Sequence, residues 1–219
     1  MEQILTDRQV VFLGLLAENQ SLVDAVYLTG GTPLAAFYLG HRFSEDLDFF
    51  SEQEIDLLSI DVFLKSIQKK LGFKRIDSQT KMNRNLFFLE FGDEVLKTEF
   101  TYFPFPRIHK GAPHYGVMTD SLFDIAVNKL FSIYQRSVQR DYIDLYMICI
   151  RESYTIKDLI KNAKVKFDWH IDPFQLANQF LKAKEAVDPP RLITPLAPEE
   201  WHSFFQRETL NLKSEIMES

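Results

Sequence analysis

The stretch that decides the reading runs from Val23-Asp24-Ala25-Val26-Tyr27-Leu28 through Thr29-Gly30-Gly31-Thr32-Pro33 to Asp46-Leu47-Asp48-Phe49-Phe50. Val23 to Leu28 reads as a short strand. Pro33 to Leu39 reads as a short helix, with Gly40 as its stop. Thr32 suits the N-cap, and Pro33 suits the first helical position, where a missing N–H costs nothing. Gly30 and Gly31 ahead of that helix let backbone amides approach a ligand closely, and the helix dipole favours an anion such as a phosphate there. A tight strand-to-helix turn also uses Gly-Gly for steric reasons alone.

Asp46-Leu47-Asp48 is more telling. Residues i and i+2 of a strand share a face, so Asp46 and Asp48 project together while Leu47 and Phe49 enter the core. Two adjacent carboxylates repel and raise each other's pKa unless a cation lies between them. Mg²⁺, held by one or two carboxylates plus substrate phosphates, meets that need; a solvated edge-strand pair is the alternative. Glu99 lies in the apolar strand Val95–Phe103, where an unpaired carboxylate is expensive to bury. Sharing a metal with Asp46 and Asp48 resolves this, and so does a salt bridge to Lys97 on the same face. Arg42, on the turn before the acid pair, could reach a phosphate or orient a carboxylate, while His41 reads as a surface or packing residue.

Outward from this segment, residues 4–19 form an amphipathic helix and 51–71 a second one, closed by Gly72. Strands are expected around Phe73–Ser78, Leu86–Phe91 and Val95–Phe103, with Gly92-Asp93-Glu94 as a hairpin turn. Phe103-Pro104-Phe105-Pro106 should end the sheet, since proline cannot sit in an interior ladder. Helices follow at 121–135, 141–151, 156–163, 173–184 and 199–210, with Thr155 and Asp172 as N-caps. The expected organisation is α+β: a mixed, mostly antiparallel sheet flanked by helices over residues 1–115, then an all-helical half over 116–219. Lys129 sits on a helix that is otherwise apolar at Ile125, Ala126, Leu130 and Ile133, at a cleft rim or as an ordinary surface lysine. Asp141, at the start of the next helix, favours the helix dipole or supports a site.

Bulk properties narrow the class. The 219 residues are 46% hydrophobic and 26% charged, an ordinary globular composition that can bury a sizeable core. With 20 Phe against 2 Trp, the aromatic content reads as packing material. The single Cys149 excludes an intrachain disulfide and a multi-thiolate zinc site. Met1-Glu2-Gln3 is acidic, unlike a signal peptide, and no window approaches the roughly 18 to 20 apolar residues of a membrane span. The expectation is a cytoplasmic protein without a membrane partner. A net charge of −6 argues against wholesale nucleic-acid coating, yet residues 129–191 carry 11 basic and 8 acidic side chains. That local excess permits a small polyanion footprint.

Taken together, Gly30-Gly31-Thr32-Pro33-Leu34-Ala35 and Gly40-His41-Arg42-Phe43-Ser44-Glu45-Asp46-Leu47-Asp48-Phe49-Phe50 resemble the AbiEii/AbiGii toxin family of the polymerase-β-like nucleotidyltransferase superfamily. So do Asp124-Ile125-Ala126-Val127-Asn128-Lys129-Leu130, Arg136 and Arg140-Asp141-Tyr142-Ile143-Asp144-Leu145. The resemblance covers about residues 20–150. It implies a nucleotidyltransferase with NTP as donor, two Mg²⁺ ions when NTP is bound, an RNA acceptor such as a tRNA 3′ end, and a separately encoded antitoxin. It further implies that Gly30, Gly31 and Thr32 hold the phosphates, that Asp46 and Asp48 bind the metals with Glu99 as third acid, and that Lys129 contacts the triphosphate. Asp141 would support the active site. Two positions depart from the wider pattern: Thr32 stands where Ser is frequent, and Glu99 where Asp is usual. A nucleotide-binding module that has lost catalysis and a transferase acting on a small molecule, such as an antibiotic, are the competing functions.

Overall fold

Strand β2 (Leu47–Ser51) shows the alternation that the sequence implies, with Leu47 and Phe49 fully buried and Asp48 and Phe50 on the other face. A computed structural model describes residues 4–92 and 94–218, with side chains through Lys213. Met1-Glu2-Gln3, and Asp93 of the expected hairpin turn, lie outside the described residues.

The chain divides into two compact units, Met1–Ser121 and Leu122–Ser219. In the first, helices α1 (Asp7–Ala17) and α2 (Gln20–Ala25) lead into strand β1 (Tyr27–Thr29). A short helical segment follows, α3 (Gly31–Pro33), which continues as a π-helical turn Leu34–Leu39 ahead of β2. Then come α4 (Leu57–Leu71), β3 (Arg75–Lys81), β4 (Arg84–Glu90), β5 (Val95–Tyr102), β6 (Lys110–His114) and β7 (Val117–Asp120). The seven strands are ordered β3-β4-β5-β2-β1-β7-β6. β2 runs parallel to β5 and β1 parallel to β7, while the other neighbours are antiparallel. This is the expected α+β fold with a mixed, mostly antiparallel sheet.

One face of the sheet is apolar. Phe12 and Leu16 of α1 and Ile60, Phe63 and Ile67 of α4 join Leu28, Leu47, Phe49, Leu89 and Phe100 in one buried cluster. The Phe49 ring lies 6.0 Å from Phe12 and 5.0 Å from Phe100, so the abundant phenylalanines do serve as packing between sheet and helices. The polar side chains of the central strands are thereby left to the opposite face.

Several boundaries differ from the sequence reading. Residues from Gln20 to Ala25 are helical, capped by the Asn19 side chain, so β1 is reduced to Tyr27–Thr29. The second long helix starts at Leu57, where the Asp56 carboxylate accepts from the amides of Leu58 and Ser59; Ser51 closes β2. The sheet also does not end at Phe103. After the prolines the chain returns as the β6–β7 hairpin, and β7 pairs with β1. Pro113 is tolerated because β6 is an edge strand. A boundary at 115/116 would cut that hairpin at its turn, Tyr115-Gly116, so the unit boundary falls at 121/122 instead.

The second unit contains α5 (Leu122–Gln135), α6 (Gln139–Glu152), α7 (Ile156–Phe167), α8 (Pro173–Leu181) and α9 (Pro198–Glu218). Thr155 and Asp172 cap α7 and α8 as expected. Tyr142, Phe180 and Phe205 form its aromatic centre, and the Tyr142 hydroxyl donates to the Gln179 carbonyl at 2.7 Å. Cys149 is buried, and that burial pushes its thiol up to about 12, so it is a packing residue and not a nucleophile. Among the described residues no helix is long and apolar enough to cross a membrane.

Candidate active site

The polar face of the sheet is assembled by register. Asp48 on β2 lies beside Glu99 on β5 and beside Thr29 on β1. Lys97, Glu99 and Thr101 alternate with the core residues Leu96, Thr98 and Phe100, so they share the face of Asp48. Arg84 on β4 pairs in register with Thr101 and so stands on that face too. At the other side of β1, Thr29 Oγ1 donates to Asp120 Oδ2 at 2.7 Å, both fully buried.

The acids have different partners. Glu99 is 3% exposed and is gripped by Arg84, whose Nε and Nη2 donate to its two oxygens at 2.7 and 2.6 Å. Thr101 Oγ1 donates to Glu99 Oε1 at 2.6 Å. Burial alone would raise the Glu99 carboxyl, but these hydrogen bonds and the Arg84 charge outweigh it and hold the group below its ordinary value. Asp46 takes Lys97, with Nζ 2.5 Å from Oδ2. Asp48 receives no hydrogen bond or ion pair from the described residues. Burial, reinforced by the charges of Glu99 and Asp46, raises its carboxyl to about 6 against the partial relief of Lys97 and Arg84.

The Gly-Gly turn abuts these acids. Gly30, not Thr32, occupies the N-cap position, at φ 77 and ψ −145, a backbone region that is essentially glycine's. A Cβ at Gly30 would stand 3.1 Å from Asp48 Oδ2, and one at Gly31 would collide with the Arg42 guanidinium. Thr32 turns inward: its hydroxyl bonds to Ser44 Oγ at 2.8 Å and to the Asp46 carbonyl, stapling the turn to the start of β2. Arg42 and His41 are buried, with Arg42 Nη1 donating to the Phe43 carbonyl at 2.9 Å. Gly30→Ala should therefore cost about 1–3 kcal/mol from backbone strain, readable as a lowered urea midpoint.

Lys129 and Asp141 both belong to the helical unit. Lys129 is buried and so not an ordinary surface lysine, and its Nζ lies 2.7 Å from both Asp141 and Asp144. Arg136 adds a bond to Asp141 at 3.1 Å. In the same unit, Lys166 and Asp124, 42 residues apart, form another ion pair, 2.7 Å long and wholly buried. The sequence reading missed Arg84, the Lys97–Asp46 pairing and Asp120. Lys97 carried a signal, being two residues from Glu99; Arg84 carried none, because its place depends on the β4–β5 register.

Among the described residues no three His, Cys, Asp or Glu side chains converge as a metal cluster. Glu99 is turned to Arg84 and Asp46 to Lys97. The donor set nevertheless fits a magnesium ion: Asp48 is an acid without a cation of its own, Asp46 is beside it, and the missing Cβ of Gly30 leaves room against Asp48. Two carboxylates completed by phosphate oxygens are an ordinary Mg²⁺ donor set.

The chain belongs to the AbiEii family: residues 14–215 match the model of the nucleotidyl transferase AbiEii toxins of type IV toxin–antitoxin systems. An uncharacterized protein of Aquifex aeolicus (strain VF5), aq_aa25, is 32% identical over 145 residues, which is 64% of this chain and 66% of that relative's own length. The crystal structure of JHP933 from Helicobacter pylori superposes with a TM-score of 0.60 at 22% identity, covering 100% of this chain and 97% of the other. A second Helicobacter pylori crystal structure gives 0.61 at 22% identity, covering 100% and 98%. At that identity the structures support the fold.

Proposed function

We propose that the protein is a divalent-metal-dependent nucleotidyltransferase that moves a nucleoside monophosphate from an NTP to a hydroxyl of RNA. The observation that carries this is Asp48, a partly buried acid with a raised pKa, lying between Asp46, Glu99 and the Gly30 turn. Asp46 and Asp48 would hold the ion, with two ions present once NTP is bound. Such an ion supplies neutralisation of phosphate charge and a lower pKa for the acceptor hydroxyl. Arg84 holds Glu99 ionised and fixed, which keeps the face negative beside Asp48. The Gly30-Gly31 turn admits the phosphates close to the backbone, and Arg42 stands behind it. In the transfer, the hydroxyl oxygen bonds to the α-phosphorus, the bond to the bridging oxygen breaks and pyrophosphate leaves. The proton of the hydroxyl passes to a carboxylate of this face.

The family description supports a toxin role with a separately encoded antitoxin. The basic excess of residues 129–191 supports an RNA acceptor, of which a tRNA 3′ end is the form that the resemblance implies. The absence of a spanning helix among the described residues is consistent with the cytoplasm as the place of action. The test is transfer of label from each α-labelled NTP into total RNA and into a panel of small hydroxyl compounds, with and without Mg²⁺. Label in RNA that requires Mg²⁺ and falls at least about 100-fold in Asp46→Ala is the expected result. Label in a small molecule alone would replace the acceptor, and NTP binding without turnover would identify an inactive binding module.

A further inference from the structure

Two cations reach into the acid face from neighbouring positions, and they differ in how firmly they are held. Arg84 grips Glu99 through two hydrogen bonds to a carboxylate that is 3% exposed and also takes Thr101. Lys97 reaches Asp46 through a single ammonium group, and the two side chains are 30% and 33% exposed. A bidentate guanidinium on a buried carboxylate is a fixed structural pair. A single ammonium on a flexible stem, paired with a partly exposed carboxylate, is held at one point and can exchange; Arg84, although 52% exposed itself, is fixed by its two bonds to the buried Glu99. Asp46 is also one of the two acids that fit a divalent ion, and the ammonium of Lys97 occupies one of its two oxygens, Oδ2.

We propose that Lys97 is a built-in counter-ion of the metal seat: it neutralises Asp46 before the ion binds and leaves that carboxylate when the ion arrives. The inference rests on the reading of Asp46 and Asp48 as metal ligands and adds the residue that competes for one of them. Lys97 shares the polar face of β5 with Glu99. Its flexible stem lets the displaced ammonium turn to an incoming phosphate, so that ion and triphosphate bind together better than either alone. Lys97 is thus a positioning residue for the ion, and Arg84 keeps Glu99 out of the exchange.

The experiment is Mn²⁺ binding to the full chain, followed by loss of the free-ion electron paramagnetic resonance signal in the absence of nucleotide. Wild type, Lys97→Met, Arg84→Met and Asp46→Ala are compared, and their melting curves show that each variant is folded. Lys97→Met should bind Mn²⁺ about tenfold more tightly than wild type, and Asp46→Ala should lose most of the binding. In a second series a non-hydrolysable NTP analogue, its own chelation of Mn²⁺ subtracted by a protein-free titration, should tighten Mn²⁺ binding in wild type and do so less in Lys97→Met; an equal gain in both overturns the turn of Lys97 to phosphate. Unchanged or weaker binding by Lys97→Met, with wild-type binding still dependent on Asp46, overturns the counter-ion and leaves the metal reading standing. Equal tightening by Arg84→Met also overturns it, since any lost positive charge would then suffice. Binding that does not depend on Asp46 in any variant overturns the metal seat itself and the counter-ion with it.

Discussion

Asp48→Asn should abolish nucleotide transfer and at the same time make the protein more stable at neutral pH. The loss should be on the order of 10³-fold in kcat, since it removes a carboxylate from the charge-organising centre of the reaction. The gain follows from the raised pKa. In the unfolded chain the Asp48 carboxyl titrates near its ordinary 3.8, whereas burial and the charges of Glu99 and Asp46 raise it to about 6 in the fold. A group raised on folding favours the folded state fully below its unfolded pKa, and that contribution is lost as pH rises through the folded value. Wild type should therefore lose roughly 1–3 kcal/mol between pH 3.8 and about 6 through this group, and above that window carry an ionised, unfavourably placed carboxylate. Asp48→Asn removes the charge and its pH dependence. Urea melts in EDTA at pH 7.5 should place its midpoint above that of wild type, with the advantage shrinking as pH is lowered towards 4. A midpoint equal to or below wild type at pH 7.5 would show that the site carries no electrostatic strain.

Lys129→Ala should unfold the protein far more easily. Lys129 lies between Asp141 and Asp144, whose side chains are 3% and 0% exposed, so its removal leaves two buried carboxylates with Arg136 reaching one of them. Stripping one partner from a buried ion pair costs about 3–5 kcal/mol, because the acids lose the ammonium that balanced their charge. The measurement is the chemical denaturation midpoint, with near-ultraviolet circular dichroism following the aromatic packing around Tyr142. Lys129→Ala combined with Asp144→Asn should recover part of the loss. If Lys129 acted through a substrate phosphate alone, the single variant would lose activity with an unchanged midpoint, and the buried network would not be what this residue holds together.

These two residues mark how far the sequence could be read. Asp48 was legible because strand periodicity is local: Leu47 and Phe49 had to enter the core, which sent Asp48 to the other face. The Gly30-Gly31 turn was legible for the same reason, although its cap was assigned to Thr32. The hydroxyl of Thr32 instead bonds to Ser44 and the Asp46 carbonyl, twelve and more residues away. The partners of Lys129 were not legible, because only the packing of α5 on α6 brings Asp141 and Asp144 to it. The β6–β7 hairpin was missed because its strands are four and five residues long and one contains Pro113, so neither alternation nor composition marks them.

By itself the sequence determined the family, the α+β order of elements, the acid-bearing face of β2 and the glycine turn before it. All of these are written in residues close together in the chain. Tertiary structure alone decided which cation answers which acid. Glu99 could have taken a metal or Lys97, yet the β4–β5 register places Arg84 on it and leaves Lys97 to Asp46. The physical reason is that charge pairing across a sheet depends on strand register, and register is settled by the whole buried face of Phe49, Phe100 and their neighbours, not by the charged residues themselves.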